Sequence, residues 1–334
     1  MVLVTGGTGL IGSHLLFELV QNEEKVRAIY RNSKAIDKVL KLFRFYNNEQ
    51  SQFLFDKIEW VPCDILDVIT LDEVFKGCSR VYHCAALVSF HRVDFNQLMK
   101  INREGTANIV NACLGNNIRK LAYISSTAAI GGANSVDMVS EDLKWKQSET
   151  TSGYAISKYS AEKEVWRGVE EGLDVVIVNP SVVIGAGNWN ESSLTMFKTI
   201  EDGLKFYTNG ANAFVDARDV AKTLCQLMKS EIKNERFLCI GENARFIDLF
   251  HLIAKRINKK ALSIPVKPWL VGLTWRVASL ISLLTGKRST ITKESANSAF
   301  NVTKYANTKI KDALNYEFYT LKEMVDNAIN GRLL

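Results

Sequence analysis

Over the first two thirds of the chain, short β-branched runs alternate with longer stretches whose apolar residues recur at helical spacing. Val2 to Thr5, Val26 to Tyr30, Ile58 to Val61, Arg80 to Cys84, Lys120 to Ser125, Asp174 to Asn179 and Arg236 to Ile240 read as strands. Between them, Ile11 to Gln21, Leu71 to Phe75, Asn96 to Leu114, Tyr154 to Glu171 and Val220 to Lys229 read as helices. Consecutive parallel strands need helical crossovers, so the pattern predicts an α/β fold, a doubly wound parallel sheet with helices on both faces.

After Asn179 the alternation loosens. Gly185 to Asn212 reads as glycine-punctuated loop and helix on the substrate side, and from Phe246 the chain is mostly helical, with a change of character at Pro265 and Pro268. The expected division is residues 1–180 with 213–242 as a dinucleotide-binding domain and residues 181–212 with 243–334 as a smaller, mostly helical substrate lobe. Trp269 to Leu284 is apolar, but it contains Arg276 and is short for a bilayer, so a buried or subunit-contact helix is expected over a membrane-surface or spanning one.

Composition narrows the class. The chain has 334 residues, 47% hydrophobic and 23% charged with 4 Pro, which suits a packed core and not disorder. Its net charge of +6 is spread along the chain rather than clustered, so no nucleic-acid partner is expected. Cys63, Cys78, Cys84, Cys113, Cys225 and Cys239 lack paired spacing and read as small apolar fillers in a reducing compartment. Four scattered histidines give no metal-ligand pattern. A strand-like run at the start of the chain leaves no leader, and cytoplasmic residence is the expectation.

The candidate chemistry begins at Thr5-Gly6-Gly7-Thr8-Gly9-Leu10-Ile11-Gly12, between the first strand and the first helix. Gly6 and Gly9 permit a tight turn and close approach of backbone to a pyrophosphate, and Gly12 lets helix and strand pack closely. The helix N-terminus offers unpaired N–H groups to the anion. Gly6, Thr8, Gly9, Leu10, Ile11 and Gly12 are therefore candidate cofactor contacts on a Rossmann-like domain. At the end of the second strand, where a carboxylate would hold the adenosine ribose, the run is Ala28-Ile29-Tyr30-Arg31-Asn32-Ser33. The Arg31 fork suits a 2′-phosphate, so NADP is preferred over NAD, although Arg31 as a solvated end-of-strand charge stays open.

Tyr154-Ala155-Ile156-Ser157-Lys158 sets a phenol and an ammonium four residues apart on one helix face. A cation near the phenol would lower its pKa from about 10 and make it a usable acid and base in hydride-transfer chemistry. Tyr123-Ile124-Ser125-Ser126-Thr127 ends a strand where ligands of open α/β sheets bind, so a hydroxyl there can hold the reacting oxygen.

With these motifs the sequence resembles the extended short-chain dehydrogenase/reductase superfamily (the NAD-dependent epimerase/dehydratase family), in its dihydroflavonol-reductase-like and 3β-hydroxysteroid-dehydrogenase-like branch. The resemblance implies Ser126, Tyr154 and Lys158 as the catalytic set, with Ser125 or Thr127 replacing Ser126 if the register slips. It further implies Asp64 and Ile65 at the adenine, Ala85 and Ala86 lining the cofactor, Asn102 in the following helix, and Pro180 in the turn beside the nicotinamide. Val88, Ser89, Ser126 and Asn179 are the substrate candidates, and Asp219 in Phe214 to Ala221 is expected to cap a helix. Sugar-nucleotide epimerases of the superfamily usually carry an Arg two residues before that Phe, where this chain has Asn212.

The leading expectation is an NADP-preferring reductase of a ketone or aldehyde, or the reverse alcohol dehydrogenase, acting on a small-molecule substrate. Leu87, Val88 and Phe90 hint at a hydrophobic one. A sugar-nucleotide epimerase or dehydratase with tightly bound NAD, and a non-catalytic NAD(P)-sensing protein, remain open, as does a homodimer.

Overall fold

The structure is a computed structural model that describes residues 1–22, 24–131, 136–266 and 299–333. In chain order its elements are β1 (Val2–Thr5), α1 (Leu10–Gln21), β2 (Val26–Tyr30), α2 (Ile36–Tyr46), α3 (Ser51–Phe55), β3 (Ile58–Pro62), α4 (Val68–Phe75), β4 (Arg80–His83) and α5 (Phe95–Leu98). A π-helical turn, Met99–Glu104, joins α5 to α6 (Gly105–Gly115). There follow β5 (Lys120–Ile124), α7 (Gly153–Glu170), β6 (Val175–Pro180), β7 (Val182–Ile184), α8 (Thr195–Glu201), β8 (Phe206–Tyr207), β9 (Ala211–Asp216), α9 (Ala217–Lys229) and β10 (Glu235–Cys239). The chain closes with β11 (Glu242–Arg245), α10 (Phe246–Arg256), β12 (Ile264–Pro265), α11 (Thr308–Leu314) and α12 (Leu321–Asn330).

Seven strands form one sheet in the order β10-β6-β5-β4-β1-β2-β3, and every neighbouring pair is parallel. All seven are the strands expected from the sequence, their ends displaced by at most one residue. Alternation along each strand sorts side chains between two helical layers. Val2 and Val4 join Leu15, Leu19, Val220 and Leu224 on the α1 and α9 side, whereas Leu3 joins Phe75, Ile109 and Val165 on the α4, α6 and α7 side. The same period puts Ala122 and Ile124 on the first face and Leu121 and Tyr123 on the second. Strand order reverses between β1 and β4, and their C-terminal ends open the crevice in which such sheets bind ligands.

Beside the large sheet lie a three-stranded sheet, β11-β9-β7, and a β8–β12 ribbon, with α8, α10 and α12 packed around Phe197, Phe214, Leu249, Ile253 and Met324. β8 and β12 have two residues each and β7 three, too short to stand out as strands in the sequence. The α9 cap is a correction: Asp216 accepts from the Arg218 N–H, while the expected cap Asp219 lies buried in the first turn, taking hydrogen bonds from the Tyr316 hydroxyl at 2.8 Å and the Tyr319 N–H at 3.1 Å. Trp269 to Leu284 lies outside the described residues. Among the described residues no helix is long and apolar enough to cross a membrane.

Candidate active site

The loop after β1 is a cradle that side chains would fill. Gly6 has φ +69°, and a Cβ there would lie 2.6 Å from the Ala85 nitrogen. The Gly9 N–H closes the turn on the Gly6 carbonyl at 3.0 Å, and a Cβ on Gly12 would collide with that same carbonyl. Gly9 caps α1 with no side chain, no acidic residue stands in the first turn, and the Ser13 N–H to Gly9 carbonyl bond of 2.9 Å starts the helix. First-turn amides beside Leu10, Ile11 and half-buried Thr8 are thus left for an anion, and the cradle fits a dinucleotide pyrophosphate.

Pairing of Tyr30 with Pro62 brings Arg31 and Asp64 to adjacent strand ends. Arg31 is exposed, Asp64 Oδ1 accepts from the Leu66 N–H at 3.0 Å, and Ile65 is buried with its carbonyl taking the Asn108 amide at 3.0 Å. Ala85 faces Gly6, and Ala86 follows it exposed. Asn102, in the π-helical turn, grips both the N–H and the carbonyl of Leu87 (2.7 and 2.9 Å) and donates to Ser157 Oγ at 2.9 Å. It thereby ties the loop after β4 to the helix of Tyr154 and Lys158. Pro180 is buried at the end of β6, opposite Cys239.

Three consecutive hydroxyls at the end of β5 have different partners. Ser125 donates to Glu162 Oε2 at 2.6 Å, and Thr127 stands by the Tyr305 phenol. Ser126 Oγ accepts from the Ala128 N–H at 3.1 Å, and its hydroxyl stands by the Tyr154 phenol. Burial pushes the half-buried Tyr154 phenol above its ordinary value, and the neighbouring Ser126 hydroxyl opposes this. Lys158, only 1% exposed, donates to the Tyr123 hydroxyl at 2.9 Å and to the Ile124 carbonyl at 2.8 Å. Burial lowers Lys158 to about 7, against which Glu162 and Cys84 pull upward.

Of the substrate candidates, Val88 is 49% exposed, but Ser89 spends its hydroxyl on Asp94 Oδ2 at 2.7 Å while accepting from the His91 N–H, which holds a turn. Asn179 donates from Nδ2 to the Ser126 carbonyl and to Glu162 Oε2, both at 2.9 Å. Two acceptors facing one atom fix the amide orientation, so its buried Oδ1 is the atom left without a partner. Among the described residues no group of three His, Cys, Asp or Glu could hold a metal ion. A cleft of about 480 Å³ between Lys100, Arg103 and Glu164 contains none of the candidate catalytic or cofactor residues.

Sequence reasoning missed Glu162. It lies 2% exposed one turn beyond Lys158, and with Ser125, Asn179 and a 3.0 Å ion pair to Arg236 it joins α7 to β5, β6 and β10. The i, i+4 spacing from Lys158 was the available signal. Arg236→Met should destabilise the fold by about 3 kcal/mol in urea unfolding, because it strands a buried carboxylate; a loss below about 1 kcal/mol would deny Glu162 that structural role.

Residues 2–241 match the sequence profile of the NAD dependent epimerase/dehydratase family. The chain belongs to that family. It is thereby a member of the extended short-chain dehydrogenase/reductase superfamily, as the motifs implied, and of an NAD-dependent enzyme family. A Synechocystis sp. protein with a provisional dihydroflavonol 4-reductase name is 31% identical over 220 residues, 65% of this chain and 60% of that protein. Cinnamoyl-CoA reductase 1 of Petunia hybrida is 28% identical over 265 residues, 76% of this chain and 77% of that protein. Among solved structures, gox2253 superposes with TM-score 0.80 at 24% identity, covering 99% of this chain and 97% of that one. UDP-glucuronic acid 4-epimerase from Bacillus cereus, in complex with UDP-glucuronic acid and NAD, superposes with TM-score 0.77 at 21% identity, covering 99% and 98%. These two show a shared fold.

Proposed function

We propose that the protein is an NADPH-preferring reductase of an apolar ketone or aldehyde, running in reverse as an alcohol dehydrogenase. The observation that carries this reading is the placement of the Ser126 hydroxyl beside the Tyr154 phenol at the crevice, where it favours the ionised phenol, one helical turn from buried Lys158. When bound, the dinucleotide supplies the hydride. Ser126 holds the carbonyl oxygen, and Tyr154 gives that oxygen a proton in reduction and takes it back in oxidation. The raised phenol pKa keeps Tyr154 in its acid form at neutral pH, which suits a proton donor. Val88 and Phe90, 49% and 42% exposed, offer an apolar rim, and the Phe90 ring meets Tyr154 edge-on at 5.6 Å.

In this reading residues 1–180 with 213–242 hold the dinucleotide, and residues 181–212 with 243–334 shape the substrate pocket. Asn212 stands where sugar-nucleotide epimerases usually carry an Arg, and its Oδ1 accepts from the neighbouring Ala213 N–H at 2.8 Å, which leaves a substrate diphosphate without a clamp there. Unpaired cysteines suit a reducing compartment, so residence in the cytoplasm is part of the proposal.

Thermal shifts with NAD, NADH, NADP and NADPH, followed by a carbonyl panel, test it. NADPH is expected to raise Tm most, and Arg31→Ala to weaken NADPH binding roughly tenfold or more while leaving NADH unchanged, the expected loss of a charged hydrogen bond. Equal shifts for NADH and NADPH would remove the preference; no shift with any of the four would remove the enzyme.

A further inference from the structure

Tyr123 is buried on the β5 face that packs against α6 and α7, where a plain apolar residue would fill the space. A phenol there costs free energy unless its oxygen is satisfied, and this one has a cationic donor. In front, Lys158 Nζ donates to it at 2.9 Å and lies 4.6 Å from the ring centre. Behind, the Thr106 hydroxyl of α6 draws the phenol's pKa down against the effect of burial, and its Oγ1 lies 3.0 Å from His83 Nε2. His83 Nδ1 lies 2.7 Å from Thr5 Oγ1, which accepts from the Ala85 N–H at 3.3 Å, and the His83 ring stacks on Tyr123 at 5.4 Å. One buried chain thus runs from the Lys158 amine to the residue against which Gly6 is packed.

With the Ala85 N–H on Thr5, the Thr5 proton is free for His83 Nδ1, and Nε2–H is directed at Thr106. Burial, with Lys158 adding to it, holds His83 down to about 3, so the ring is a neutral spacer. Burial also pushes the Tyr123 phenol up, so it meets the amine as a neutral oxygen. Of the three ammonium N–H groups, one is on Tyr123 and one on the Ile124 carbonyl.

We propose that Tyr123 is the positioning residue of Lys158, its phenol oriented by Thr106 and His83 so that the amine keeps one direction for its remaining N–H and keeps its charge. The proposal rests on the reading of Lys158 as part of the catalytic set. The groups facing the amine are Glu162 from its own helix, His83 and Cys84 from β4 and its end, and Tyr123 from β5. Glu162 and the Tyr123 oxygen favour the cation, and burial disfavours it.

Tyr123→Phe keeps the ring and removes only the oxygen. Loss of an acceptor for the cation makes the amine release its proton at lower pH, so the alkaline limb of kcat should move acidward by roughly half to one unit. KM should change little. The Lys158 titration, followed in the cofactor-free protein by NMR of ¹³C-labelled lysine, should move the same way. Thr106→Val, which leaves Tyr123 but removes the hydroxyl behind it, should give a smaller shift of the same sign, and it decides the matter if the first variant does not fold. An unmoved NMR titration in a folded Tyr123→Phe protein overturns the proposal, and if Tyr154→Phe still abolishes turnover, the catalytic reading survives. If instead Tyr154→Phe is fully active, the catalytic reading fails, and the lysine titration still reports on Tyr123.

Discussion

Tyr154→Phe should lower turnover by about 10²- to 10⁴-fold, the usual contribution of a positioned acid or base, with cofactor affinity nearly unchanged. The substitution is conservative where it matters for folding. The ring keeps its edge-on contact with Phe90 at 5.6 Å, and the residue stays in the first turn of α7, whose cap is the Ser152 hydroxyl accepting from the Ala155 N–H. Ser126 loses the neighbouring hydroxyl but still accepts from the Ala128 N–H. What disappears is the proton held next to the reacting oxygen, so the defect should fall on kcat and kcat/KM together, the pattern of an interaction made in the transition state. Steady-state kinetics with the best substrate of the carbonyl panel, alongside NADPH thermal shifts, measure both halves. Turnover within about threefold of the parent would remove Tyr154 from the reaction.

How much of this was legible in the chain depends on whether a feature is local or made by folding. The seven parallel strands were, because they are short, largely apolar runs and all but the last lead into a helical crossover. Helix α2 was legible too, with Val39, Leu42, Phe43 and Tyr46 at helical spacing, although it was not read as a helix. The glycine loop could be placed because its function is backbone geometry, which Gly6 and Gly12 encode directly. By contrast, choosing Ser126 over Ser125 and Thr127 needs Glu162 and Tyr305, which are distant in sequence and near in space. The expected effect of Lys158 on the phenol also needed the fold. In the structure the amine is committed to Tyr123 and Ile124, and burial raises Tyr154 while Ser126 opposes. The Asp219 cap failed for a similar reason: Asp216 stands nearer the helix start, and Tyr316 and Tyr319, about a hundred residues on, draw Asp219 inward. Burial then lifts the Asp219 carboxyl to about 7.

Gly12→Ala should abolish both the cofactor-induced thermal shift and part of the native stability. Its Cβ would collide with the Gly6 carbonyl oxygen and lie 2.8 Å from that carbonyl carbon and 2.9 Å from Gly7 Cα. These neighbours are backbone, so no rotamer can yield, and α1 must move off the loop that follows β1. Forced overpacking of this kind costs about 1–3 kcal/mol, and the displaced helix carries with it the first-turn amides that would hold the pyrophosphate. Gly9→Ala separates the two effects: φ at Gly9 is −82°, ordinary for alanine, and its Cβ would lie 3.4 Å from the Gly6 oxygen. That variant should keep a near-parental Tm while binding NADPH at least tenfold more weakly, because its methyl enters the cradle without disturbing the helix. Gly115→Ala, in the last turn of α6 with nothing within 4 Å, controls for glycine replacement itself and should leave both measurements unchanged. If Gly12→Ala bound NADPH as tightly as Gly115→Ala does, close packing of α1 on the loop would not be what makes this crevice a dinucleotide site.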